Sequence, residues 1–107
     1  MAETMTAGVF LSEGVFEVQV RKVPTLPGAD WVLIENEGCG VCGSDLHALS
    51  VPAGVKATPN TVLGHEFIGK IIEAGPAVTT AKVGDRVAVA PNLMCGLCKQ
   101  CKLGQST

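Results

Sequence analysis

Tyrosine is absent from this 107-residue sequence, tryptophan occurs once and phenylalanine three times. Neither sign of charge dominates, since 8 Lys and Arg face 10 Asp and Glu for a formal charge of -2. With no basic footprint, neither a nucleic acid nor a membrane is expected as a partner. No apolar run reaches the roughly 18 to 20 residues of a membrane span, and Met1-Ala2-Glu3-Thr4 lacks the basic flank and apolar core of a secretory signal. The expected setting is soluble and reducing, hence cytoplasmic. No Gly-x-Gly-x-x-Gly follows a strand pattern either, so a nucleotide-binding domain is absent from this chain.

What is present fits a compact, turn-rich β domain. Hydrophobic residues make up 47% of the sequence and glycine accounts for 13 positions, a balance unlike that of a disordered chain. The length accommodates one domain and one core. Residues 7–11 and 15–23 read as strands around the turn Ser12-Glu13-Gly14, the second alternating as Val15-Phe16-Glu17-Val18-Gln19-Val20-Arg21 with one face expected buried. Further strands are expected over residues 31–35, 67–74 and 86–90, with a tight corner over 38–43. Gly69 interrupts the 67–74 run, as in a sharply bent strand. Residues 44–49 form the one short helix expected before mid-chain, with Ser44 able to cap it. Pro52, Gly54 and Pro59 then force a surface loop. The fold class is mostly β: a partly open barrel with short helices and long loops carrying the reactive residues.

Those residues fall into two groups. Cys42 and His65 are candidates for one metal ion held between distant loops, because zinc accepts thiolate and neutral imidazole from any sequence separation. The bland alternative is a buried cysteine and a turn histidine. The second group is Cys95-x2-Cys98-x2-Cys101, where two-residue gaps let successive thiolates turn toward one zinc ion. An iron–sulfur reading is disfavoured because Gln105 stands where the bacterial ferredoxin pattern needs a fourth cysteine. Cys39-Gly40-Val41-Cys42 between a strand and a helix also imitates a thioredoxin-like redox site, although that helix is short. A single structural zinc shared by Cys39, Cys42, Cys95 and Cys98 is a further arrangement, and disulfides suit a reducing compartment poorly.

Four motifs in order resemble the medium-chain, zinc-dependent alcohol dehydrogenase superfamily. They are Gly38-Cys39-Gly40-Val41-Cys42-Gly43-Ser44-Asp45-Leu46-His47, Leu63-Gly64-His65-Glu66-Phe67-Ile68-Gly69, Val83-Gly84-Asp85-Arg86-Val87 and the cysteine run from Cys95. The resemblance implies a GroES-like catalytic domain over 1–107. It implies Cys42 and His65 as ligands of a catalytic zinc, with Glu66 behind or on the metal and Asp45 orienting His65. Ser44 and His47 would relay a proton by way of the cofactor ribose. Cys95, Cys98 and Cys101 would hold a structural zinc. The missing ligands, and the domain binding NAD or NADP, would come from sequence past Thr107. The whole enzyme would move hydride between a small alcohol or carbonyl and the nicotinamide, as a homo-oligomer, whereas these 107 residues alone would be inactive. A non-enzymatic zinc-binding β domain is the alternative.

Overall fold

A computed structural model describes residues 3–91 and 97–103. Its first unit is an antiparallel hairpin of Thr4–Ser12 (β1) and Val15–Lys22 (β2), closed by Gly14 at a φ of 70°. The sequence reading found the hairpin but not the way it is covered. Val9 is 0% exposed on β1, whereas Val18 and Val20 on β2 are 66% and 74% exposed. The expected buried face of β2 is therefore open to solvent. β2 lies at the edge of a sheet ordered β2-β1-β4, where β4 is the short strand Thr61–Val62.

The second sheet is built from Val32–Gly40 (β3), Glu66–Ala74 (β5) and Arg86–Ala88 (β6), in the order β3-β5-β6. β3 runs on as far as Gly40, through residues that the glycine content marked as a corner. Its antiparallel pairing with β5 continues from Val32 opposite Ala74 to Gly40 opposite Glu66, with two irregularities that bend the ladder. Cross-strand partners override a poor local β preference here. Gly69 sits where any side chain would strike the carbonyl of Glu35, so the close approach of β3 demands glycine.

The turn over 82–85 behaves as read. Asp85 Oδ2 accepts from Lys82 N–H at 3.0 Å, and the turn is anchored to β5 by Gly84 N–H to Ile71 O at 2.8 Å. Ile71, 2% exposed, is one of the few buried apolar residues, with Val9, Ala7, Phe10 and Ala48. Two short helices complete the described residues, Gly43–Leu49 (α1) and Lys99–Lys102 (α2), and α2 was not foreseen. Two bent three-stranded sheets without closure, among the described residues, match the expected open GroES-like barrel.

Candidate metal centre

The β3–β5 register places the site. Because Gly40 faces Glu66 across the sheet, the loop leaving β3 and the loop entering β5 are brought side by side. The first carries Cys42 and the second His65. Gly64, just ahead of His65, has a φ of 113°, and a Cβ there would lie 2.9 Å from Cys39 Sγ. Only glycine fits that backbone and that sulfur together.

Cys42, His65 and Glu66 each offer one ligand atom, and these atoms all lie within 4.8 Å of one another. Cys42 and His65 are half-buried, whereas Glu66 is exposed. Sulfur, nitrogen and oxygen donors gathered in this way suit zinc. Neither Cys39 nor Cys98 belongs to this group, which speaks against a shared all-cysteine site among the described residues.

Asp45 ties the two loops together. Its Oδ2 accepts from Cys42 N–H at 3.1 Å, and its Oδ1 lies 3.8 Å from His65 Nδ1. Cys42 occupies the N-cap of α1, so Ser44 lies inside the helix and is not the expected cap. The acidic group three residues into the helix reaches back to the cap N–H, one half of a capping box. That contact was missed in the sequence, although Asp45 at this spacing from Cys42 was the available signal.

The electrostatics follow from these neighbours. The Ser44 hydroxyl, then the Ser44 backbone N–H and the His65 ring, hold the Cys42 thiol below its ordinary range, against burial and the Glu66 charge. The Cys42 hydrogen bond raises His65, helped by the charges of Cys42, Asp45 and Glu66, while burial opposes the rise. His47 is exposed one turn beyond Ser44, and its carbonyl accepts from Gly54 N–H at 2.9 Å, which docks the 50–54 loop on α1. A cavity of about 240 Å³ lined by Phe16, Cys39, Asp45, Leu46 and Gly64 backs the ligand loops, but none of the three ligand residues lines it, so it is not a substrate cleft at the metal.

Of the second group, Cys95 lies outside the described residues. Cys98 is exposed immediately before α2, and Cys101 falls within α2. Cys39 lies within β3 opposite Phe67 and, like Cys42, forms no disulfide, a placement unlike a redox pair at a helix start.

Residues 28–107 match the alcohol dehydrogenase GroES-like domain. The chain belongs to this family. It is 43% identical over 101 residues to D-xylulose reductase A of Aspergillus oryzae, covering 90% of this chain and 28% of that protein. The cobalt- and zinc-bound thermostable alcohol dehydrogenase of Pyrobaculum aerophilum superposes with a TM-score of 0.84 at 36% identity, covering 96% of this chain and 31% of that one. An NADP-bound protein of Sinorhizobium meliloti 1021, assigned as a zinc-binding dehydrogenase, gives a TM-score of 0.81 at 38% identity, over 99% of this chain and 30% of that one. The chain thus spans under a third of the length of these relatives. Family members of this kind are zinc-dependent oxidoreductases that use a nicotinamide cofactor.

Proposed function

We propose that this chain is the metal-binding part of the catalytic domain of an alcohol dehydrogenase, one that moves hydride between a small alcohol or polyol and NAD or NADP. The observation that carries the reading is the convergence of Cys42, His65 and Glu66 ligand atoms within 4.8 Å, in a chain of this family. Cys42 and His65 would hold the catalytic zinc with Glu66 beside them, and a further ligand would come from sequence outside these residues. Bound there, zinc supplies the Lewis acidity that lowers the pKa of an alcohol hydroxyl.

The chain's own residues do the rest. Asp45 lies 3.8 Å from His65 Nδ1 and so leaves Nε2 for the metal; drawn into hydrogen-bond range, it would fix tautomer and ring orientation together. Ser44 Oγ, beside the Cys42 sulfur, would take the alcohol proton and pass it by way of the cofactor ribose to His47, which lies exposed one helical turn on. Cys95, Cys98 and Cys101 would bind a second, structural zinc with a fourth ligand. Thiols without disulfides suit a cytoplasmic setting, and among the described residues no helix is long and apolar enough to cross a membrane.

The test uses the chain together with the remainder of its enzyme. Metal analysis is expected to return about two zinc ions per chain, one for each ligand group. Cys42→Ala is expected to abolish alcohol-dependent reduction of NAD or NADP. Unchanged turnover in that variant would overturn the assignment.

A further inference from the structure

The backbone of β2 faces two ways. Val23 N–H donates to Glu3 O at 3.0 Å, which marks the odd-numbered residues along this pair as those bonded across the hairpin. The other parity on β1 turns toward β4, since Gly8 O accepts from Leu63 N–H at 3.1 Å and Phe10 O from Asn60 N–H at 2.7 Å. The N–H and C=O groups of Phe16, Val18, Val20 and Lys22 therefore point outward along an edge that is free among the described residues. An uncovered edge this long, flanked by exposed valines, is a template for another strand.

We propose that this edge joins two copies of the chain, with β2 pairing antiparallel to β2 about a two-fold axis through Gln19. Outward groups can bond only to outward groups, so a symmetric register centres on a residue. Val18 and Gln19 pair the most of β2, Glu17 and Val20 less, and a centre on Glu17 sets that carboxylate against its own copy. Centred on Val18, Glu17 meets Gln19 and Arg21 meets Val15. Centred on Val20, Arg21 meets Gln19 and Val18 meets Lys22. With Gln19 on the axis, Val18 faces Val20 of the second copy and Glu17 faces Arg21, each contact occurring twice.

The charge pattern selects this last register, because opposite charges directly across a pair stabilise it. The Glu17 side chain makes no hydrogen bond or ion pair among the described residues. Arg21 uses Nη2 on Asn60 O at 3.0 Å and Nε on Gln19 Oε1 at 3.4 Å, which leaves further guanidinium donors for a carboxylate. Val18 and Val20, 66% and 74% exposed, meet their counterparts in a four-valine cluster. The result is an isologous contact that closes on itself and extends the sheet from three strands to six, from the order β2-β1-β4. It is independent of the metal chemistry.

Gln19→Cys tests the register directly. Across a non-hydrogen-bonded antiparallel pair the Cα atoms stand about 4.5 Å apart, within the roughly 4.4 to 6.8 Å a disulfide spans. Mild oxidation of the purified protein is expected to give a covalent dimer whose cross-linked peptide joins residue 19 to residue 19. Wild type and Asp30→Cys, tested alongside, measure the background from the native cysteines. In sedimentation equilibrium, Glu17→Arg and Arg21→Glu are each expected to weaken self-association about tenfold, by placing like charges across both contacts. The double exchange restores it, which separates loss of pairing from loss of folding. Cross-linking of Gln19→Cys no stronger than that of Asp30→Cys, or a double exchange as weak as either single variant, would overturn the proposal.

Discussion

Asp45 reaches both candidate ligand loops, with one carboxylate oxygen 3.8 Å from His65 Nδ1 and the other accepting from Cys42 N–H at 3.1 Å. A single side chain thus puts a charge beside the imidazole and holds the start of the helix behind the thiol. Asp45→Asn keeps an oxygen for the Cys42 N–H but removes the charge facing His65. Zinc affinity, measured by competition with a chromogenic chelator, is expected to fall about 10- to 100-fold, as for other residues that support a metal ligand. An unchanged affinity would show that the carboxylate acts on the helix alone.

The pH dependence of zinc binding follows from the same neighbours. In the metal-free chain His65 is raised above the ordinary value of 6.5, first by its hydrogen bond with Cys42, and the thiol is lowered, first by Ser44. Zinc needs a neutral imidazole and a thiolate. As pH falls through the raised His65 value, protons compete with zinc for the imidazole. Zinc affinity is therefore expected to begin falling above pH 6.5, on the alkaline side of a free imidazole. In Asp45→Asn one of the charges raising His65 is gone, so, although the alkaline plateau of affinity is itself lower, the pH at which affinity begins to fall from that plateau moves down. An onset that moves to higher pH in that variant would contradict this sign.

Much of this site is legible in the residues, and the reasons for the exceptions are physical. Strand periodicity reveals β2 and β5, and Gly84-Asp85 reveals its turn, because both signals are local. The reach of β3 to Gly40 is hidden, since glycine is a poor strand former and only pairing with β5 holds it extended. That hidden register, Gly40 opposite Glu66, is also what brings Cys42 to His65. Alternation along β2 shows that one side is apolar but not that it lies open, because cover depends on distant chain. Cys42 at the N-cap is likewise obscured, since the stabilising group is Asp45 and the cap residue itself supplies no typical signal.

Gly64 carries a backbone demand that mutation can measure. Ala at a φ of 113° is strained, and its Cβ would lie 2.9 Å from Cys39 Sγ. Gly64→Ala is expected to lower stability by about 1–3 kcal/mol in urea unfolding. Adding Cys39→Ala removes the sulfur contact but not the backbone strain, so it returns only part of the loss. Full recovery in the double variant would mean that the φ value imposes no cost.

Turnover tests the proton path separately from the metal. Ser44→Ala is expected to slow alcohol oxidation about 100-fold or more in protein matched for zinc content. His47→Gln, altering an exposed residue, is expected to lower the rate less and to be rescued by added imidazole. A slow His47→Gln enzyme that no buffer rescues would contradict a proton-delivering role for the imidazole.

The most direct measurement is anomalous X-ray scattering at the zinc edge from zinc-loaded crystals. The expected peak lies about 2.3 Å from Cys42 Sγ and about 2.0 to 2.1 Å from a His65 ring nitrogen. Zinc bound by the cysteines of the 95–101 segment alone, with no peak between residues 42 and 65, would contradict a catalytic metal at this site.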